Sequence, residues 1–135
     1  MLVKGEYVAR WVMATIGAYT EGMTALGWEV DGEIVAGTAF ENFNGNNMFG
    51  HQRIDKAPPK EYWFSVADYI FNQCKVKRFT ATIEQDNVRA IRLNKHIGFE
   101  VETTLKEAGR NGDLIIMVLW PHNCKMLNWS KQNVQ

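Results

Sequence analysis

Arg78-Phe-Thr-Ala81-Thr-Ile83-Glu84-Gln-Asp86-Asn87-Val-Arg-Ala90-Ile-Arg-Leu93-Asn94-Lys-His-Ile97-Gly98-Phe99 is the stretch on which the fold turns. Phe79, Ala81 and Ile83 alternate with polar residues, the period of a strand with one face on a core. Asp86 or Asn87 then offers an N-cap, Ala90, Leu93 and Ile97 recur at helical offsets, and Gly98 supplies the stop. Upstream, Trp63, Phe64, Val66, Ala67, Ile70, Phe71 and Cys74 keep the same helical spacing behind Pro58-Pro59, which predicts a helix over residues 59–73. Strand, helix, strand, helix in succession requires a parallel, right-handed crossover.

The flanks read as antiparallel hairpins. Leu26, Trp28 and Val30 alternate up to Asp31-Gly32, a type I′ turn signal, and Ile34, Ala36, Thr38 and Phe40 resume the alternation. Asn44-Gly45-Asn46-Asn47 leads into a strand over 48–54, and Asn111-Gly112 joins strands over 100–107 and 114–120. Val8, Trp11, Val12, Thr15, Ile16 and Tyr19 predict an amphipathic helix over 4–17 with Gly17 and Gly22 at its exit, so residues 1–22 read as an N-terminal helical segment. The expected class is α+β (α/β): one domain over 1–135, with a mixed, mostly antiparallel sheet, a splayed parallel pair and flanking helices. Residues 128–135 form a tail, and polar residues 130–135 should fray.

Composition bounds the function. Fifteen Lys plus Arg against fifteen Asp plus Glu give 15 − 15 = 0, with 46% hydrophobic and 12% aromatic residues, enough apolar surface for one packed core. A neutral chain lacks the basic face that releases counterions from phosphates, so no nucleic-acid partner is expected. The uncharged run over 11–20 is too short to span a bilayer and resembles no signal peptide, so no membrane partner and a cytoplasmic location are expected. Cys74 and Cys124 fit that compartment as reduced thiols, and no Cys/His spacing suggests a metal. Beside His122, Cys124 reads more readily as a buried core residue than as a nucleophile. Trp120, Met126 and Trp129 should pack the C-terminal segment onto the sheet or against a second copy of the chain.

A sheet that changes from antiparallel to parallel opens a crevice at the strands' carboxyl ends, beside the crossover helix's N-terminus. Residues 59–62 form that N-terminus, whose free N–H groups and dipole favour an anion, so a diphosphate-bearing cofactor is expected. Charge agrees. Residues 17–55 carry six acidic residues against one basic, whereas 53–95 carry nine basic against five acidic. Lys56 and Lys60 flank the helix start, and Arg89, Arg92 and Lys95 lie on the next helix.

Asn87, Ala90, Gly98 and Phe99 resemble the N-x-x-A-x-x-x-Y-x-x-x-G-F signature near the end of GNAT N-acetyltransferases. The likeness runs from Tyr69-Ile-Phe71 to Cys124-Lys-Met-Leu127 and covers roughly residues 26–127. It is similar to short phage and proteobacterial GNAT-like proteins, and more loosely to the N-terminal acetyltransferases of ribosomal proteins. The resemblance implies acetyl-CoA-dependent transfer of an acetyl group to an amine, in a bacterial or phage-infected cell. It implies that backbone of Phe49, Gly50, His51 and Gln52 holds the pantetheine and polarises the thioester carbonyl. Asn87 would lie on the pantetheine side, with Arg53, Lys56, Lys60 and Arg92 as the basic groups for the phosphates. Two positions depart from the family pattern. The loop Gln52-Arg-Ile-Asp-Lys-Ala-Pro-Pro-Lys60 has no glycine where the family has Q/R-x-x-G-x-G/A, and Asn94 replaces the tyrosine that protonates the departing thiolate.

An ammonium acceptor needs a base, a lysine near 10.4 more than an α-amine near 7.7–8.0. His51 is the first candidate, because imidazoles ordinarily titrate near neutrality, and Glu41 and Glu84 are the alternatives. A protein amine is among the acceptors expected. The alternative function is a non-catalytic GNAT-fold, phage-type protein acting by protein contact, which the glycine-free loop and Asn94 favour. A dinucleotide-binding oxidoreductase is a distant third, since no G-x-G-x-x-G follows a strand.

Overall fold

The computed structural model describes residues 1–129, so the fraying expected of 130–135 lies outside the described residues. The chain opens with a short strand, β1 (Leu2–Lys4), which turns at Gly5 into α1 (Glu6–Met13). This corrects the helix expected over 4–17. Leu2, Val3 and Lys4 pair with β2 (Thr24–Val30), and beyond Met13 a single turn closes with the Gly17 N–H on the Met13 carbonyl at 2.9 Å. The helical spacing of Thr15 and Ile16 comes from that one turn.

Asp31 and Gly32 adopt φ of 51° and 82°, the type I′ geometry whose twist suits a hairpin, and join β2 to β3 (Glu33–Glu41). At the next turn the Asn44 side-chain oxygen accepts from the N–H groups of Asn46 and Asn47 at 2.9 and 2.8 Å, feeding the chain into β4 (Asn47–Ile54). The crossover helix α2 (Lys60–Ala67) follows Pro59, and Asp68–Gln73 continues it as a π-helical turn in place of the α-helix expected through residue 73. β5 (Arg78–Glu84), α3 (Val88–Ile97), β6 (Glu100–Gly109) and β7 (Gly112–Leu119) complete the elements, with 3₁₀ turns at Pro121–Asn123 and Lys125–Asn128. Asn87 is the N-cap of α3, its side chain accepting from the Ala90 N–H at 3.2 Å.

The sheet order is β1-β2-β3-β4-β5-β7-β6, and β4–β5 is its parallel pair. On one face Ala36, Phe40, Met48, Phe79 and Ile83 pack with Tyr62, Val66 and Ile70 and with Ile97 of α3. On the other, Val8 and Val12 of α1 cover Ala25 and Ala39. Cys124 and Met126 enter the first core, and burial pushes the Cys124 thiol up, consistent with a packing role. Trp129 stands edge-on to Trp63, ring centroids 6.5 Å apart. Among the described residues no helix is long and apolar enough to cross a membrane, and no group of three or more His, Cys, Asp or Glu could hold a metal ion.

Two glycines are fixed by what surrounds them. At Gly50 a Cβ would stand 2.0 Å from the Phe79 ring, so its absence lets the ring lie against β4. Gly98 ends α3 at φ 127°, and a Cβ there would stand 1.9 Å from the Asn123 carbonyl oxygen. Gly45 also has a positive φ, 91°, but nothing lies within 4 Å of its Cβ position. Both Gly→Ala changes carry backbone strain of about 1 kcal/mol or more. Gly98→Ala must also displace the backbone at Asn123, so in urea unfolding it is expected to lose at least about 1 kcal/mol more than Gly45→Ala. Equal losses would show that the Asn123 turn yields freely.

Candidate active site

β4 and β5 are paired from Asn47↔Arg78 to Gly50↔Ala81, and there the parallel register stops. β4 stays paired with β3 as far as Ile54↔Ala36, and β5 with β7 as far as Glu84↔Leu114. Each strand thus follows its antiparallel partner, and the gap between them becomes a cleft of about 870 Å³. That lies within the size of ligand sites. Because side chains alternate, the cleft passes through the sheet. Gln52, Ile54, Ala81 and Ile83 reach it from the face covered by α2 and α3, whereas His51, Thr82 and Glu84 belong to the face of α1.

Of the residues singled out in the sequence, Gly50, His51, Gln52, Glu84 and Asn87 line this cleft. Glu41 stands beside it on β3, diagonal to His51 in the register, and its Oε2 meets His51 Nε2 in a hydrogen-bonded pair. Both side chains are largely buried, with 23% and 16% of their surface exposed. An ionised carboxylate only accepts, so this contact places the imidazole hydrogen on Nε2 and leaves Nδ1 as the basic nitrogen. Two of the three candidate bases thus form one unit.

Glu84 is tied differently: its Oε1 accepts the Arg110 N–H at 2.6 Å, next to the tip of the β6–β7 hairpin. Arg53 lies away from the cleft, its guanidinium 3.9 Å above the Trp11 ring, bonded to the Trp11 carbonyl at 2.8 Å and paired with Asp55 at 3.0 Å. It fastens α1 to the sheet. Phe49 is half-buried opposite Glu41, and Lys56, Lys60 and Arg92 are exposed outside the cleft lining. The cations that do line it are Arg89 and Arg110. Arg89 lay within the basic cluster of the sequence, but nothing in the local pattern marked Arg110. Its Nη2 donates to the Ile16 carbonyl, so the hairpin tip and the segment after α1 meet over the cleft.

The glycine-free loop also has a structural consequence. The N–H groups of Asp55 and Lys56 both bond to the Val35 carbonyl, at 2.8 and 3.1 Å, and Pro58 and Pro59 have none. Little backbone is left to wrap a phosphate. Asn94, on α3, is buried at 8% exposure and lines the cleft.

No family model and no curated protein matches the chain. Solved structures do. A variant of spermidine N-acetyltransferase SpeG from Vibrio cholerae superimposes with a TM-score of 0.74 at 16% identity, over 96% of this chain and 99% of that one. The same enzyme in complex with CoA and spermine gives 0.64 at 15% identity, over 76% and 68%. Campylobacter jejuni N-acetyltransferase PseH in complex with acetyl coenzyme A gives 0.59 at 15% identity, over 75% and 70%. The chain has the fold of these GNAT-type N-acetyltransferases.

Arg110→Ala removes the contact across the cleft mouth without opening a core. Amide exchange over residues 14–22 is expected to quicken while global stability stays within about 0.5 kcal/mol. Unchanged exchange in that segment would show that Arg110 does not hold it.

Proposed function

We propose that this chain is an acetyl-CoA-dependent N-acetyltransferase that moves an acetyl group directly to an amine. The observation that carries the reading is the through-sheet cleft at the β4–β5 parting, with the His51–Glu41 pair on one of its sides. Solved structures of this fold include one with CoA and spermine and one with acetyl coenzyme A, which supports the same assignment.

The cofactor supplies an activated acyl carbonyl: the amine nitrogen bonds to that carbon, the C–S bond breaks, and the sulfur leaves with the electron pair. The residues present fit its slender arm better than its phosphates. Beyond Gly50 the β5-facing edge of β4 has no strand partner, so backbone of His51 and Gln52 is available to hold an extended chain and to polarise a carbonyl. With the Asp55 and Lys56 amides committed to Val35, phosphates would be held by side chains, Lys56 and Arg89 foremost, and by the first turn of α2.

The acceptor enters from the α1 face. Glu84 and Glu41 there favour a cation, and an acceptor ammonium must lose a proton before its nitrogen is nucleophilic. His51 takes that proton on Nδ1, while Glu41 fixes the ring and stabilises the imidazolium formed. Asn94 has no proton to give at neutral pH, so the departing sulfur is protonated from water. A protein α-amine needs less help from the base than a lysine does, and a small polyamine suits the acidic side of the mouth.

Calorimetric titration with acetyl-CoA and CoA, followed by turnover with spermidine and with a peptide α-amine, tests the reading. Micromolar binding is expected, and a melt at about 100 times Kd should gain roughly 2.7 kcal/mol. His51→Ala is expected to lower turnover about 10²- to 10⁴-fold with the Kd for acetyl-CoA unchanged. Equal turnover in the variant would remove His51 from the role. No heat and no shift at millimolar ligand would overturn the enzyme reading in favour of a non-catalytic, protein-contacting chain, which the occupied amides of Asp55 and Lys56 favour.

A further inference from the structure

A second, smaller chamber of about 30 Å³ adjoins the cleft where β4 and β5 part, sharing Gly50, His51, Gln52, Ala81 and Asn94 with it. Its inner wall is apolar: Val66, Phe79, Ile97, Phe99 and Met126 are each 8% exposed or less. Among the described residues no Lys, Arg, Asp or Glu lines it. Two of its polar groups are already engaged, since Thr38 Oγ1 bonds to the Tyr62 hydroxyl at 2.7 Å and receives Gln52 Nε2 at 3.4 Å. Burial pushes the Tyr62 hydroxyl up, so it stays a neutral partner.

Asn94 is the exception. The residue is 8% exposed, and its side chain lines both chamber and cleft and makes no hydrogen bond among the described residues. No fully buried side-chain N or O atom among the described residues lacks a partner, so the Asn94 amide opens on the cavity, where a ligand can bond it. An apolar chamber with a neutral amide at its neck suits an uncharged group that is polar at one end and hydrocarbon at the other.

We infer that this chamber receives the acyl chain of the thioester donor and limits it to about three carbons, with Asn94 bonding the polar end at the neck. The inference rests on the cofactor reading above and specifies its acyl group. A water-sized group needs roughly 10–15 Å³ measured in this way, so the chamber holds about two. The methyl of acetyl fills half of it, the ethyl of propionyl fills it, and the propyl of butyryl exceeds it. A carboxylate-ended chain such as succinyl finds no cation there.

The test is calorimetric titration of the full chain with CoA, acetyl-CoA, propionyl-CoA, butyryl-CoA and succinyl-CoA. Propionyl-CoA is expected to bind about fourfold tighter than acetyl-CoA, the gain of one buried methylene, and butyryl-CoA at least about fivefold weaker than propionyl-CoA. Met126→Ala enlarges the far wall and should move the optimum to butyryl, and Val66→Ala serves the same purpose if that variant does not fold. Asn94→Leu should weaken the acyl forms while leaving free CoA unchanged. If CoA binds and all acyl forms bind alike, or the enlarged variants keep the original order, the acyl chamber is overturned and the cofactor site stands. If CoA itself does not bind, the cofactor reading falls and takes the chamber with it.

Discussion

Two strands that share four residue pairs and then separate decide the rest of this molecule. Beyond those pairs β4 continues along β3 as far as Ile54 and β5 along β7 as far as Glu84, while the two part from each other. Each strand follows the twist it shares with its antiparallel partner, and the pair opens. Gly50 sits at the parting point, and its missing side chain is what allows the Phe79 ring to seal the core just below the opening. A cleft that reaches both faces of a sheet without emptying the core needs that combination of an early parting and a bulky plug.

The helices convert the gap into a site. α2 and α3 wall one side with Trp63, Ala90 and Asn94, while the turn after α1 and the β6–β7 tip wall the other with Ile16 and Arg110. Chemistry is divided accordingly. The deep side is apolar and carries the Asn94 amide, whereas the α1 side carries the imidazole and the carboxylates. Arg53 contributes by holding α1 in place through the Trp11 ring and carbonyl, so a cation that looks like a phosphate contact in the sequence is a fastening between layers.

The regular parts of this fold were legible because they obey local rules. Asp31-Gly32, Asn44 and Asn87 each specify a turn or cap within three or four residues, and the alternation from Phe79 to Ile83 and the helical stripe at Ala90, Leu93 and Ile97 name the elements either side of the crossover. The parting of β4 and β5 followed from topology alone. β1 was missed because three residues are too few to show a period, and its partner on β2 lies more than twenty positions away. The pairing of Glu41 with His51 was accessible in principle, since the turn at residues 44–47 fixes the register that sets them diagonally, but candidates weighed singly do not reveal a pair. Arg110 could not be read at all. Its role comes from a meeting between residues 16 and 110 that no pattern along the chain encodes.

The loop after β4 shows how a departure in sequence becomes a redistribution of binding work. A glycine-rich loop offers a phosphate several N–H groups at no side-chain entropy. Here the same stretch turns inward, gives the Asp55 and Lys56 N–H groups to the Val35 carbonyl, and reaches α2 through two prolines. The β3–β4 ladder is thereby lengthened, and an anion bound there would be left to flexible, solvated cations that hold it less firmly and with more sensitivity to salt. For the proposed cofactor, affinity would then come from the buried end, where the unpaired edge of β4, the apolar chamber and the Asn94 amide lie. On the proposed reading, the weight of recognition shifts from the phosphates toward the acyl group, the part of the ligand at which the chemistry occurs.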